Sequence, residues 1–358
     1  MRMFNKSKLL LLFVFFIVIV SLTMKFSYAI FSHEENFDNS ISLTSAVDFN
    51  VIPNIEDYYI YTYEDGSLGY KVSLKEEFKN SLNSNSNYVD SLGNTWISGS
   101  PLPNPGSVYN GTSGIKNVTS MQSLFYDITA ETLDLSLYDT KNIKNMTSMF
   151  RNSTSKNINI SNLDTSNVTT MHAMFYNNTS SMIDVSNFDT SKVTDMGFMF
   201  AASKIKNLNL SNFDTSNVIT MSHMFCDNKS LIIDVSNFNT SNVVDMYAMF
   251  TRTATSVIDV SNFDTSKVTT MKHMFDGTVA PVIDVSNFDT SKVTNMELMF
   301  LSSKVTMLDI SNFNITNVTA MSAMFTNSSA NPIYVLDQGS LNRFVSEGGA
   351  IASRLIIK

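Results

Sequence analysis

A row of aspartates is the feature of this sequence that could most directly do chemistry. Asp184 lies between Ile183 and Val185, and this triplet recurs every 25 residues. Apolar residues at positions i and i+2 around a polar residue are typical of a short strand with one buried face, so the carboxylates are expected to point outward. The row consists of Asp134, Asp184, Asp234, Asp259, Asp284 and Asp309, with Asn159 and Asn209 in two other copies.

Two interpretations of this acidic row are open. Carboxylates stacked about 4.8 Å apart repel one another and would attract divalent cations or a basic partner. Alternatively, the row is a solvated face that salt screens. Calcium takes six or more oxygen ligands, which one flat row does not supply, so we predict no metal site.

A second row consists of the residue that precedes the inward-pointing Ile or Leu of each copy. It is apolar in several successive copies, at Ile232, Val257, Val282 and Met307. If these side chains face outward beside the aspartates, they form a stripe suited to protein binding. If the chain bends at this position, they turn inward and pack. The sequence does not decide between the two.

Other residue types that could support catalysis are poorly placed. His223 and His273 share a repeat position but lie two copies apart, about 10 Å, which is too far for one metal ion. Cys226 is the only cysteine, and no general base is evident beside it. Phosphate-binding glycine loops and metal-spaced histidine pairs are absent from the sequence. We therefore expect no catalytic residues, no metal, no cofactor and no enzymatic activity.

These rows are positioned by a repeated line that ends in Met-x-x-Met-Phe. Its first Met recurs at 121, 146, 171, 196, 221, 246, 271, 296 and 321. A fixed period of this length predicts a solenoid, here resembling leucine-rich repeats, with one short parallel strand per copy and a turn or short helical segment on the other side. Seven side chains per copy are expected to point inward. The residues after the Met-Phe pair vary most, which predicts solvent-facing turns over 201–206 and its equivalents.

Polar residues that recur in nearly every copy follow the predicted strand. Ser186 and Asn187 are examples, and Asp189-Thr190 comes next. Such side chains satisfy backbone groups in turns. We therefore predict that they form hydrogen-bonded ladders between copies and do not bind a ligand.

The ends of the chain differ from the repeats. Residues 1–29 have the basic start, apolar run and small-x-small ending of a secretory signal peptide, with an uncleaved anchor as the alternative. Residues 30–110 are predicted to be a non-repeat region that covers the end of the solenoid, with a hairpin over 58–74, a short helix over 75–82 and a proline-rich linker at 99–106. The solenoid is predicted over 111–335. A C-terminal cap follows over 336–358, with a helix near 337–347 and a strand at 355–357.

Charge and cysteine content limit the possible partners. The formal net charge is −8, and loss of the four basic residues in 1–29 leaves −12. A polyanion without a basic stripe is a poor ligand for nucleic acid or anionic membranes, so no nucleic-acid partner is expected, and no membrane insertion beyond a retained leader. A single cysteine excludes an intrachain disulfide.

The repeat line Ile-Asp-Val-Ser-Asn-Phe-Asp-Thr-Ser-x-Val-Thr-x-Met-x-x-Met-Phe, as at 183–200, resembles the 25-residue mycoplasma-type repeat of BspA-like leucine-rich repeat surface proteins. The resemblance covers roughly residues 115–335. It implies export and a role at the cell surface, where some members are adhesins. We therefore expect a secreted or surface-located binding module that contacts a host or neighbouring-cell protein, matrix protein or glycan through its exposed strand face. The alternative is a structural, self-associating surface component without a foreign ligand.

Overall fold

The computed structural model of the protein describes residues 55–64, 69–105, 107–110, 114–180, 183–206 and 208–358. Residues 52–358 form one compact unit. The predicted leader and the segment after it, up to residue 54, lie outside the described residues. Within the described part of the chain, no helix has both the length and the apolar character needed to cross a membrane.

The region before the repeats begins with the predicted hairpin. Strands β1 (Tyr59–Glu64) and β2 (Gly69–Leu74) pair antiparallel. Helix α1 (Glu76–Asn83) follows and buries Phe78. The predicted hairpin and short helix are thus confirmed. Both were predictable because alternating aromatic residues and an amphipathic turn are strong local signals.

Four further strands complete this region. Strands β3 (Tyr88–Val89) and β4 (Thr95–Trp96) form a short hairpin that the sequence did not predict. Strands β5 (Ser107–Asn110) and β6 (Gly114–Ser120) pair antiparallel. Strand β6 also pairs parallel with β2, which gives the sheet order β1-β2-β6-β5. Since β6 leads directly into Met121, this sheet is continuous with the first repeat.

The proline-rich segment before the first repeat is packed against its neighbours. The N–H of Leu102 donates to the carbonyl of Asp134 at 2.8 Å, and the Leu102 side chain is fully buried. The hydroxyls of Tyr59 and Tyr61 donate to the carbonyls of Pro103 and Pro105. Tyrosines at alternate positions of β1 therefore hold this segment against the first repeats.

The repeats stack in tandem, and the seven predicted inward positions are buried. In one copy they are at most 4% exposed, and they comprise Ile183, Val185, Phe188, Val193, Met196, Met199 and Phe200. The phenylalanine of each Met-Phe pair stacks on its equivalent in the next copy, from Phe125 to Phe325, with ring centroids 5.5–6.1 Å apart. One continuous core thus passes through all the copies.

The predicted strand is present in only some copies. Strands β7 (Thr132–Asp134) and β8 (Asn157–Asn159) pair in parallel, as do β9 (Leu308–Asp309) and β10 (Ile333–Val335). A single bridge joins Leu208 to Ile233. In the fully described stretch between Ile233 and Leu308, no ladder forms at this position. Each segment is only three residues long between two turns, so inward packing and side-chain caps hold it in place without a ladder.

The regular backbone pairing lies instead at the Met-x-x-Met-Phe segments. Parallel bridges join equivalent residues from Ser120 through Asn145 to Ala320. The segments themselves are turns and contain no helix, which selects the first of the two predicted alternatives. The second residue after the first Met has a positive φ of 53–61° in every copy, although none of these residues is glycine. Hydrogen bonds to the next copy, such as that from the N–H of Phe125 to the carbonyl of Met149, hold this unfavourable conformation.

The residues that vary most after the Met-Phe pair are not all at the surface, which corrects the prediction of solvent-facing turns. Ser203 and Ile205 are fully buried, as are Asn228 and Ser230. The amide of Asn228 donates to the carbonyl of Phe200 at 2.7 Å, and its side-chain oxygen accepts from the N–H of Ser230. At these positions, polar side chains whose hydrogen bonds are made within the protein can be buried as readily as apolar ones. The residue type therefore varies between copies although the position stays buried.

The ladders predicted from the copy-faithful polar residues are present. The hydroxyl of Thr190 is buried and donates to the carbonyl of Asp214 in the next copy at 2.9 Å. The amide of Asn187 donates to the carbonyl of Ser161 in the preceding copy at 2.8 Å. Equivalent bonds recur along the array, so these residues are structural.

The C-terminal segment closes the last repeat. Helix α2 (Gln338–Ser346) and strand β11 (Leu355–Ile357) form where the sequence predicted them. Strand β11 pairs parallel with β10. Phe344 of α2 stands edge-on to Phe325 at 5.5 Å and 86°, and so ends the stack of rings.

Candidate binding surface

The aspartates of the predicted row cap turns. The Oδ1 atom of Asp184 accepts from the N–H of Ser186 at 2.9 Å, and that of Asp234 accepts from the N–H of Ser236 at 3.0 Å. Asn159 accepts in the same way from Ser161 at 3.2 Å. The repeat position therefore requires a side-chain oxygen but not a charge. Sequence reasoning missed this role, although the replacement of Asp by Asn in some copies is its signal.

The exposure of these carboxylates differs along the row. Exposed side chains are found at Asp184, Asp234, Asp259 and Asp284, whereas Asp134 and Asp309 are half-buried. Asp309 also forms an ion pair with Lys358. The carboxylates most accessible to a partner are thus those of Asp184, Asp234, Asp259 and Asp284.

Local hydrogen bonds stabilise the charged form of these aspartates. The hydroxyl and N–H of the following serine lower the pKa of Asp184 and of Asp234. Equivalent bonds from Ser261 lower the pKa of Asp259, against the opposing effects of burial and of the Asp234 charge. Burial alone would raise the pKa of Asp309, but hydrogen bonds from Lys358 and Ser311 outweigh it and lower that pKa. These four residues carry negative charge at neutral pH.

The apolar row faces solvent, which decides between the two orientations left open by the sequence. The exposed fractions are 72% for Ile232, 67% for Val257, 70% for Val282 and 53% for Met307. Leu231 is 73% exposed and enlarges the same surface. Sequence reasoning did not single out Leu231, because it lies in the variable stretch after the Met-Phe pair.

The two rows form one surface, which we call the strand-face patch and define by Ile232, Val257, Val282 and Met307 together with Asp234, Asp259, Asp284 and Asp309. Along the chain, Ile232 and Asp234 are separated only by Ile233, which is buried. Residues at i and i+2 of an extended segment point to the same side. Four successive copies therefore present apolar and acidic side chains next to each other.

The patch does not extend to the first two copies, because the equivalents of its apolar residues there are polar. Thr132 is half-buried and Asn157 is exposed at this repeat position. Met182, which has the same repeat position in the next copy, lies outside the described residues. A contiguous exposed apolar surface with a polar border is typical of an interaction site.

The histidines and the cysteine lie elsewhere in the copies. The His223 ring stacks on Phe198 with centroids 4.1 Å apart and contacts Tyr247 at 4.4 Å. Burial lowers the pKa of His223 and raises the pKa of the Cys226 thiol to about 12. In the part of the chain that the structure describes, no three His, Cys, Asp or Glu side chains are grouped so that they could hold a metal ion.

Comparison with known proteins places the repeats in a family. A family model described as "Mycoplasma protein of unknown function, DUF285" matches residues 111–209, 177–278 and 251–335. The search of curated proteins and the search of solved structures gave no match. The three matches overlap and together cover residues 111–335, which is more than half of the chain. The chain therefore belongs to the family described as Mycoplasma protein of unknown function, DUF285.

Proposed function

We propose that this protein is an exported binding module that contacts a protein partner through the strand-face patch. The observation that carries the proposal is the exposure of four apolar side chains on successive copies, beside a row of aspartates. A soluble protein rarely exposes such a surface without a partner. Export is inferred from the signal-peptide pattern of residues 1–29, and places the protein outside the cell or on its surface.

The architecture we propose is a solenoid of the leucine-rich-repeat type, as in BspA-like surface proteins. The constant period of 25 residues supports it. Parallel pairing of equivalent residues in neighbouring copies, such as Thr170 with Asp195, also supports it. In such an array each copy needs its neighbours to bury its apolar side, so the array presents one extended surface for contact.

The chemistry of the patch defines the partner. Apolar side chains such as Ile232 and Val282 match an apolar contact area, and the aspartates beside them match lysine or arginine at its border. Completing the burial of each apolar side chain contributes about 1–2 kcal/mol before the costs of association. A surface or matrix protein of a host or neighbouring cell with a basic, partly apolar contact area fits these requirements. We propose no role as an enzyme and no nucleic-acid partner.

Binding of residues 30–358 to immobilised matrix proteins, mucins and glycans tests the proposal. We expect saturable binding to a protein ligand that weakens as salt increases, because the acidic row is exposed. Replacing Ile232, Val257, Val282 and Met307 together by serine should weaken it at least tenfold, since truncating central apolar contacts often costs more than 1 kcal/mol. Ile219→Ser is the control, because Ile219 is 51% exposed but lies outside the patch.

A second experiment separates the effect of the carboxylate charges on binding from their role in capping the turns. Replacing Asp234, Asp259, Asp284 and Asp309 by asparagine removes four charges but keeps the side-chain oxygens that cap the turns. We expect weaker binding, with a small loss of thermal stability from the broken ion pair between Asp309 and Lys358. Unchanged affinity in both multiple variants would remove the strand-face patch as the binding surface. Loss of binding with EDTA would indicate a cation-bridged contact.

The alternative function is self-association into a surface layer, which the exposed apolar row also favours. It predicts that light scattering detects larger species as protein concentration rises, and that the serine variant stays monomeric. A monomer over the whole concentration range, with saturable binding to a foreign protein, would rule it out.

A further inference from the structure

The fifth residue after the first Met has an unusual set of side chains in three successive copies. These residues are Tyr126, Arg151 and Tyr176, which are separated by 25 residues each. The guanidinium carbon of Arg151 lies 4.5 Å from the ring centroid of Tyr176 and 6.0 Å from that of Tyr126. Stacking of the copies thus holds one guanidinium group between two tyrosine rings.

Arg151 has no polar partner for its side chain among the residues that the structure describes. Its Nε atom is buried and makes no hydrogen bond. The other described arginines are engaged: Arg252 binds Asp227 through two nitrogens, Arg343 does the same with Glu347, and Arg354 donates to the carbonyl of Ser328. Among the described arginines, Arg151 is therefore the one whose side chain has neither a carboxylate nor a carbonyl partner, although the net charge of the chain is −8.

The groups beside Arg151 already bond to one another. The amide of Asn152 donates to Asp127 at 2.9 Å, and the amide of Asn177 donates to the side-chain oxygen of Asn152 at 3.1 Å. Asn152 also lies 3.4 Å from the hydroxyl of Tyr126. The carboxylate of Asp127 thus accepts from the amide of Asn152. A line of amides and tyrosine rings consequently borders the guanidinium.

Aromatic rings continue from this position into the next copies. Phe198 lies 6.1 Å from Tyr176 and 5.6 Å from His172, measured between ring centroids. All of these rings are half-buried. They give a ligand on Arg151 a partly apolar surface to extend over.

We propose that Arg151, between Tyr126 and Tyr176, is a binding site for the carboxylate of an acidic sugar. A guanidinium group presents paired N–H donors that match a planar carboxylate, and the flanking rings hold it in one orientation. Cation–π contacts with the rings leave the outer nitrogens available to a ligand. Amide and phenol groups beside the ring surface are suited to the hydroxyls and the C–H faces of a sugar.

The arrangement favours an acidic sugar over a highly charged polymer. The site offers one unpaired cation, and the carboxylate of Asp127, which is bonded to the adjacent Asn152, would repel a sulfated chain. The site lies on the Met-x-x-Met-Phe side of the copies and shares no residue with the strand-face patch. The test of this site is therefore independent of the test of the proposed function.

Saturation-transfer NMR of the protein with methyl β-D-glucuronoside tests the proposal. We expect saturation of the sugar protons, and at least tenfold weaker binding of the corresponding glucuronamide, which has the same shape without the charge. Arg151→Gln should weaken glucuronoside binding at least tenfold. Arg252→Gln is the matched control, because Arg252 is already paired with Asp227. This variant should bind the glucuronoside with the same affinity as the unsubstituted protein.

Four outcomes would overturn the proposal. Equal binding of the glucuronoside and its amide would show that the carboxylate is not recognised, and retention of binding in Arg151→Gln would show that Arg151 does not recognise it. If an acetylated tripeptide with a free C-terminus binds through Arg151 as strongly as the glucuronoside, the assignment to a sugar is wrong. Arg151→Met should bind no glucuronoside while melting at the same temperature or higher, because it removes an unpaired N–H. A clearly lower melting temperature would indicate a structural role instead.

Discussion

The hydroxyl oxygens of Tyr59 and Tyr138 lie 2.7 Å apart, and both side chains are buried. Tyr59 also donates to the carbonyl of Pro103 at 2.7 Å, so its single proton is used there. Tyr138 must therefore donate to Tyr59. This short chain of hydrogen bonds joins β1, the proline-rich segment and the first repeats.

The direction of these bonds predicts an order of stability for two conservative variants. Tyr59→Phe leaves both the Tyr138 hydroxyl and the Pro103 carbonyl without a partner, and should cost about 1–3 kcal/mol of unfolding free energy. Tyr138→Phe removes only the bond donated to Tyr59 and should cost about 1 kcal/mol. Urea unfolding measures both. Tyr63→Phe is the control, because Tyr63 is 52% exposed. Equal costs, or the reverse order, would contradict the assigned directions.

The contact between Phe344 and Phe325 predicts that α2 stabilises the end of the array. Phe344→Ala should lower the unfolding free energy by about 3–5 kcal/mol, because it uncovers the last ring of the stack and leaves a cavity. Hydrogen exchange should then rise first over 321–335, where the N–H of Phe325 bonds to the carbonyl of Gly348. Val345→Ala, on the exposed side of the same helix, should have little effect. Uniform exchange along the whole chain would argue against a local role.

The hydrogen bond by which Asp234 caps its turn predicts different losses of stability for two substitutions. Asp234→Asn keeps an oxygen acceptor for the N–H of Ser236, as Asn159 and Asn209 do for their serines, and should lose only the part of the stabilisation that depends on the charge. Asp234→Ala removes the acceptor and should cost about 1 kcal/mol, by analogy with helix N-caps. Thermal unfolding compares them. If both substitutions were equally destabilising, the charge and not the hydrogen bond would be the important property.

The hydrogen-bonded aspartates predict a loss of stability in acid. Serine hydroxyl and backbone N–H bonds lower the pKa of several of them in the folded state, namely Asp164, Asp184, Asp189, Asp234, Asp259, Asp264 and Asp289. Because their folded pKa values lie below the unfolded value of about 3.9, their contribution is complete above that pH and is lost as the pH falls through the folded values.

The melting temperature measured from pH 7 to pH 2.5 tests this. We expect little change from these residues down to about pH 4.5, and a steep fall below pH 4. Asp189→Asn and Asp264→Asn combined should give a shallower fall, because two of the groups no longer titrate. An identical slope in this variant would show that other carboxylates cause the acid sensitivity.

Much of the fold follows from local patterns in the sequence. The hairpin at β1 and β2, the helices α1 and α2 and the strand β11 form where aromatic alternation or amphipathic spacing predicted them. The inward positions, such as Met196 and Phe200, were recognisable because the same apolar types recur every 25 residues. Burial of apolar side chains is a property of each position, and comparison of the copies reveals it directly.

The sequence by itself thus determined the repeat, its period and the residues that form its core. Only the tertiary structure decided what depends on contacts between copies. Whether Ile232 faces solvent, whether Ser203 is buried, and which carbonyl each Asp or Thr side chain caps depend on turn geometry that residue type does not specify. The position of Arg151 between Tyr126 and Tyr176 is the clearest case: each residue is unremarkable within its own copy, and they meet only because stacking brings residues 25 apart into contact.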